Sequence, residues 1–351
     1  MTIKELFAIT VKKKASDLHL IVGSLPFLRI DGELEEIDKQ KILTKEDMEQ
    51  MIFGLLTEEQ KEKFIECKEL DIGVENESGT RFRINLHFEK NNIGLVARVI
   101  NNKIPTMEDV EMPKVIYDLL KFKQGFIVVT GPAGCGKSTT LAAMINYINE
   151  NQKYNIITLE DPIEYVFKSK KSIIIQRQLG SDMITFTEGL KHALRQDPNV
   201  IMIGEMRDLE TIAAAITLAE TGHLVLATLH TYSAAQTVDR IIDIFPPYQQ
   251  AQIRMQLSLT LAAVISQRLV PKIKGGRMAV REILLNTPAV SNLIRENKIA
   301  QIKTVIETSA KEGMISMDYD LEKFYKNKMI SKEVAQAQME NPEILDKFKI
   351  L

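Results

Sequence analysis

Only two cysteines occur in the 351 residues, Cys67 and Cys135, and no Cys-x-x-Cys pair exists. Structural zinc on paired thiolates is therefore excluded. A disulfide is not expected either, because Cys135 lies inside a glycine-rich loop that a crosslink would obstruct, and a reducing cytoplasm follows. No apolar run approaches the length needed to span a bilayer, and Met1 to Val11 lacks the apolar core of a signal peptide. An excess of one charge is missing too. Lys and Arg number 45 against 47 Asp and Glu, a formal net charge of -2, so binding of nucleic acid by bulk electrostatics is excluded. What remains is ordinary for globular proteins, 45% hydrophobic and 26% charged, in a chain long enough for two domains and a small helical appendix.

The first hundred residues mix strand and helix patterns. Ile21-Val22, Phe27 to Ile30 and the turn Asp31-Gly32 read as a strand and hairpin. Thr44-Lys45-Glu46-Asp47 resembles a capping box ahead of Met48, Met51, Ile52, Leu55 and Leu56 at helical spacing. From Arg81 to Phe88 apolar and polar residues alternate strictly, so Phe82, Ile84, Leu86 and Phe88 face a core while Arg81, Arg83, Asn85 and His87 face outward. Gly94 to Ile100 reads as the neighbouring strand. The prolines and asparagines of 101–113 mark a linker. From Gln124 onward, apolar strands at Phe126–Thr130, Ile156–Leu159, Val200–Ile203 and Leu224–Thr228 alternate with amphipathic helices, the pattern of an α/β fold with a mostly parallel sheet. After Thr287 the spacing is helical. The organisation expected is an N-terminal α+β domain over 1–100, a linker over 101–113, an ATPase-type core over 114–286 and a helical C-terminal region over 287–351.

The chemistry concentrates in that core. Residues 131–138 read Gly-Pro-Ala-Gly-Cys-Gly-Lys-Ser between a strand and a helix, a phosphate-binding loop in its proper setting. Gly131, Gly134 and Gly136 let backbone N–H groups close around a pyrophosphate, and the following helix presents its positive end. Lys137 is expected to reach the β- and γ-phosphates and Ser138 to hold Mg²⁺. The nucleotide-binding set is thus Gly131, Pro132, Ala133, Gly134, Cys135, Gly136, Lys137, Ser138 and Thr139. Glu160, Asp161 and Glu164 cluster at the carboxyl end of the second strand, where open α/β sheets bind ligands, and can hold Mg²⁺ or orient a water. The third strand delivers Glu205, which could polarise the attacking water or stabilise the Mg²⁺ shell; the segment departs from the strict Walker B form, which has an aspartate directly after the apolar run. Arg207 is either catalytic or paired with Asp208. The fourth strand ends at His230, near the expected γ-phosphate.

These segments together resemble the secretion-ATPase superfamily that powers type IV pili and type II secretion. The loop at 131–138, Thr-Leu-Glu-Asp-Pro-Ile-Glu-Tyr at 158–165, the stretch Arg195 to Asp208, and Gly222 to Thr231 match its Walker A, Asp box, Walker B and His box in order and spacing. Ala15 to Leu20 is similar to its N-terminal signature, so the likeness covers nearly the whole chain. Within the superfamily the chain looks most like the PilT-type retraction ATPases, because Ala289 to Glu296 resembles that branch's C-terminal motif and the tetracysteine zinc module of many assembly ATPases is missing. Ser291 replaces the motif's first arginine, Ala133 and Cys135 stand where Thr and Ser are usual, and Ala227 where Gly is common.

The resemblance implies a PAS-like N-terminal domain, a RecA-like P-loop ATPase domain, and a homohexameric ring with ATP and Mg²⁺ at the interface of the two domains. The ring is expected at the cytoplasmic face of the inner membrane, on an inner-membrane pilus platform protein, acting indirectly on pilin. Arg81, Arg83 and Arg98 resemble the N-terminal-domain arginines that approach the phosphates in this family. The expected function is pilus retraction. Alternatives are an assembly, competence or type II secretion ATPase, against which the C-terminal motif argues, and a weakly hydrolysing accessory subunit, against which intact Lys137, Ser138, Glu205 and His230 argue.

Overall fold

The computed structural model describes residues 2–30, 32–38, 40–77, 79–100 and 104–347. The chain divides into two compact units, Met1–Lys103 with Pro162–Tyr165, and Ile104–Asp161 with Val166–Leu351.

The first unit contains α1 (Ile3–Lys12), β1 (Asp17–Leu20), β2 (Phe27–Ile30), β3 (Glu33–Glu36), α2 (Lys45–Phe53), α3 (Glu58–Cys67), β4 (Glu69–Glu75), β5 (Arg81–Glu89) and β6 (Asn92–Ile100). Each helix starts on a capping box, with Thr2, Thr44 and Thr57 accepting a backbone N–H three residues on and the side chain at that position reaching back. The strands form one antiparallel sheet in the order β3-β2-β1-β6-β5-β4. The alternation in β5 buries Phe82, Ile84 and Leu86 completely. Phe7 of α1 stacks on Phe82 with ring centroids 4.3 Å apart, each such aromatic contributing about 2 kcal/mol by burial. The first strand is not Ile21-Val22 but Asp17–Leu20, whose Leu18 and Leu20 reach the core; Ile21 follows the strand and is exposed. Asp31 of the expected turn lies outside the described residues, as do 101–103 of the expected linker and 348–351.

The second unit contains α4 (Lys114–Leu119), β7 (Gly125–Thr130), α5 (Lys137–Asn151), β8 (Asn155–Glu160), β9 (Ile173–Gln178), α6 (Phe186–Ala193), β10 (Val200–Ile203), α7 (Leu209–Glu220), β11 (Leu224–Leu229), α8 (Ala234–Asp243) and α9 (Pro247–Thr260). The chain continues through β12 (Leu261–Pro271), β13 (Arg277–Leu285), α10 (Pro288–Arg295), α11 (Ile302–Thr308), α12 (Met317–Lys326) and α13 (Lys332–Gln338). The sheet order is β13-β12-β7-β11-β10-β8-β9, parallel throughout except for the β12–β13 pair. Every residue of β7, β10 and β11 is buried, which is why these strands read as continuous apolar runs. The sheet has seven strands where the sequence pattern gives four. The edge strand β9 alternates exposed isoleucines with half-buried residues. Polar Gln267, Arg268, Arg281 and Glu282 interrupt the apolar runs of β12 and β13.

Of the C-terminal helices, α12 packs on β13 and α10 on α9. Asp320 of α12 accepts the Arg281 backbone N–H at 2.9 Å, and Leu321, Phe324 and Val280 share a small core. Helix α10 is capped by Thr287, buries Val290 and Ile294, and is tied down by Ser291, whose hydroxyl donates to the Ser258 carbonyl of α9 at 2.7 Å. Among the described residues no helix is long and apolar enough to cross a membrane.

Candidate active site

The phosphate-binding loop is moulded by what lies beneath it. A Cβ at Gly131, where φ is +144°, would fall 2.2 Å from the Gln267 carbonyl oxygen and 2.6 Å from Cys135 Sγ, so only glycine fits. Gln267, buried in β12, donates from Nε2 to the Cys135 carbonyl at 2.8 Å and accepts from Thr140 Oγ1 at 2.9 Å, bracing the loop against the first turn of α5. Sequence reasoning missed Gln267; the available signal was the polar Ser266-Gln267-Arg268 step inside an apolar stretch. Helix α5 begins at Lys137 on Gly136, an N-cap with no side chain, so the positive end of the helix lies directly behind the loop. Lys137 Nζ donates to the carbonyls of Gly131 at 2.8 Å and Pro132 at 3.1 Å, folding over the loop. Ala133 and Gly134 are exposed, whereas Pro132, Ser138 and Thr139 are half-buried at its edge.

The sheet brings a second set of side chains to the same end. Strand β10 lies between β8 and β11, with Ile203 opposite both Leu159 and Ala227, so Glu160, Glu205 and His230 emerge from aligned carboxyl ends. Gly204 lets β10 pass close to β8, since a Cβ there would lie 3.2 Å from the Leu159 carbonyl oxygen and 3.3 Å from Glu160 Cα. Glu205 Oε2 accepts from Arg207 at 2.9 Å and Oε1 lies 3.3 Å from His230 Nε2. His230 Nδ1 lies 3.4 Å from Lys137 Nζ. A lysine ammonium can only donate, so Nδ1 accepts and Nε2 carries the proton toward Glu205. The result is a polar chain, Lys137–His230–Glu205–Arg207, joining loop and strand ends. Burial pushes the Glu205 carboxyl up, but Arg207 and His230 outweigh it and hold it below the usual range. Arg207 thus pairs with Glu205 and not with Asp208, whose carboxylate caps α7 by accepting from the Thr211 N–H at 2.7 Å.

Glu160 is buried, its Oε1 accepting from Thr158 at 2.6 Å and from Gln176 of β9 at 3.0 Å, while Asp161 is exposed. Among the described residues no three His, Cys, Asp or Glu side chains gather into a metal nest. A hydroxyl and one or two carboxylates, as in Ser138, Glu160 and Asp161, suit Mg²⁺, which fills the rest of its shell with phosphate oxygens and water. Beside the loop opens a cavity of 340 Å³ lined by Gly136, Thr139, Thr140, Gln267, Lys272 and Arg281, among others. Arg281 is buried, its guanidinium donating to the carbonyls of Val110 at 2.7 Å and Glu111 at 3.3 Å.

Arg81, Arg83 and Arg98 lie in the first unit. Arg83 of β5 stands directly opposite Arg98 of β6, and Arg98 faces Asp17 of β1 in the same row, pairing with it at 2.8 Å. Burial raises the Asp17 carboxyl, but hydrogen bonds from Arg98 and Ser16 lower it further than burial lifts it. Arg81 lies over Gly73, where a Cβ would meet its guanidinium at 3.0 Å. Glu164, within Pro162–Tyr165, also groups with the first unit. The structure therefore gathers Lys137, Glu205, Arg207 and His230 and distributes the other expected site residues over two units.

The chain matches the family model for type II/IV secretion system proteins over residues 95–334. It is 44% identical to the type IV pilus retraction ATPase PilT of Pseudomonas aeruginosa over 98% of this chain and 99% of that one. It is also 44% identical to a twitching motility protein of Neisseria gonorrhoeae, over 91% of this chain and 85% of that one. Among solved structures, the pilus retraction motor PilT with bound ADP superposes with a TM-score of 0.93 at 41% identity, covering 99% of this chain and 100% of that one. The chain belongs to the type II/type IV secretion ATPase family, in its PilT-type branch.

Proposed function

We propose that this ATPase is the motor of type IV pilus retraction, working as a homohexameric ring on the cytoplasmic face of the inner membrane against a platform protein. The observation that carries hydrolysis is the chain of contacts from Lys137 through His230 to Glu205 and Arg207. The donors of α5 and Lys137 bind the phosphates, Lys137 exchanging its loop carbonyls for phosphate oxygens. Glu205, kept ionised by Arg207, orients the attacking water and accepts its proton. His230 fixes the distance between that carboxylate and Lys137. Magnesium held by Ser138, Glu160 and Asp161 would neutralise phosphate charge. The cavity beside the loop takes the nucleoside. Arg81, Arg83 and Arg98, with Glu164, add charge from the N-terminal domain, and the domain bounds at 100, 113 and 286 separate that domain from core and C-terminal helices. Retraction rather than assembly is supported by the end-to-end likeness to retraction ATPases and by the helix at 289–296.

Phosphate release and pilus phenotype test this together. Lys137→Ala is expected to lose ATP binding, and Glu205→Gln to bind ATP while losing about a hundredfold or more in turnover. A strain lacking the protein should be piliated and immobile on surfaces. Native turnover in Glu205→Gln would sink the hydrolytic assignment, and a bald strain would identify an assembly motor.

A further inference from the structure

His230 sits at the start of a short loop, and that loop is held from several sides. Thr231 Oγ1 shares a hydrogen bond with Thr237 Oγ1 at 2.6 Å, and the Tyr232 N–H donates to Gln236 Oε1 at 2.8 Å. Ser233 caps α8 by accepting the Gln236 N–H at 3.2 Å. These partners belong to α8 or its own approach, and Thr237 Oγ1 also reaches Thr130 Oγ1 of β7 at 3.4 Å, so the loop is tied to the helix and, through that one long contact, to the middle of the sheet. The next free donor is the N–H of Ala234, the first residue of α8, and it is taken by Glu282 Oε1 of β13 at 2.6 Å. A carboxylate at this position meets both an unsatisfied helix N–H and the positive end of a ten-residue helix.

We infer that Glu282 is a positioning residue that locks the His230 loop onto the sheet, setting where the imidazole stands between Lys137 and Glu205. The inference rests on the hydrolytic role proposed for His230. Without the acceptor on β13, α8 keeps its own cap, its helix and the Thr237–Thr130 contact, and the tie of Ala234 to the sheet edge is released. The surroundings of Glu282 show what else that seat touches. A cavity of 20 Å³ beside it is lined by Lys303 of α11 and by Asp318 and Glu340, and Lys303 pairs with Glu340. Side chains of α11 and α12 therefore line the same small cavity as Glu282. Its neighbour Arg281 points to the opposite face and holds residues 110 and 111.

The test is ATPase kinetics on the full-length protein with a double-mutant cycle. Glu282→Leu is expected to reduce kcat about tenfold with KM within about twofold, because it displaces a hydrolytic group and leaves the phosphate loop intact. Glu282→Gln keeps a side-chain oxygen for the Ala234 N–H and should stay within about threefold of native kcat. If Glu282 acts through His230, then Glu282→Leu combined with His230→Ala is no slower than His230→Ala alone, whereas an unrelated structural effect multiplies. Native kcat in Glu282→Leu beside a slowed His230→Ala overturns the positioning role and leaves the hydrolytic site standing. Native kcat in His230→Ala overturns both. Should Glu282→Leu fail to fold, Glu282→Gln decides. A tenfold loss there makes the negative charge, and not the acceptor oxygen, the requirement and overturns positioning.

Discussion

A methyl group on Gly131 would put carbon 2.2 Å from the Gln267 carbonyl oxygen, at a φ of +144° that L residues rarely adopt. Gly131→Ala should therefore lose about 2 kcal/mol of stability together with nucleotide binding. Gly134→Ala, at φ +73° in open space, should lose about 1 kcal/mol through backbone strain and keep more of its binding. Chemical denaturation and nucleotide titration of the pair check the contrast; equal losses would mean that crowding at Gly131 is unimportant. Glu205 carries a pH consequence. Its folded carboxyl lies below the ordinary value of about 4.3, so the ionised form and the stability it brings persist above the unfolded value and are lost only as pH falls through the lower folded one. Arg207→Ala removes an acceptor's partner and should move the acid limb of kcat upward; an unmoved limb would show that Arg207 does not set this carboxyl. At this scale the sequence was legible for placement: Gly131 stands where only glycine fits, and Lys137 and Glu205 come to the same end of the sheet on either side of His230. Gln267 and Glu282 were not, because each acts through a contact with a residue far along the chain, and a lone polar residue in a strand does not announce its partner.

Helix α10 shows both sides of that legibility at the scale of an element. Its amphipathic spacing is plain in the sequence, and the structure buries Val290 and Ile294 while Arg295 and Glu296 stay exposed. Ser291 looks like a lost arginine when read against the family motif. In the fold it is an anchor, donating to the Ser258 carbonyl at 2.7 Å and to Asn286 Oδ1 at 3.1 Å. Ser291→Ala should cost about 1 kcal/mol, read as a lowered melting temperature. The exposed pair belongs to a different prediction. Arg295→Ala with Glu296→Ala should leave phosphate release near native and abolish filament retraction, because these exposed side chains bond to Asn292 and Lys298 on and just after their own helix; loss of both activities together would make the helix merely structural. Strands β12 and β13 escaped the sequence because apolar periodicity is the signal for a strand, and theirs is broken by side chains recruited to hold the loop, the linker and α8.

Among the described residues the first unit packs around Leu18, Phe82 and Leu86, and the second around Phe126, Ile201 and Val225, with a smaller cluster around Val280 and Leu321. Calorimetry is expected to resolve two unfolding transitions, since each unit buries its own apolar surface. A non-hydrolysable ATP analogue should raise the transition of the second unit, and a matching rise in the first would support phosphate contact by Arg81, Arg83 or Arg98. A single transition with equal calorimetric and van't Hoff enthalpies would contradict the division. The same division gives the two cysteines opposite uses. Cys67, at the end of α3, is exposed, while Cys135 is 3% exposed under the loop and its thiol is pushed up by burial, leaving little thiolate at neutral pH. A maleimide fluorophore should thus attach to the native, unmutated chain at one place, the N-terminal unit, and leave the glycine-rich loop untouched. The protein arrives with its own attachment point for reading whether that unit responds when nucleotide is added.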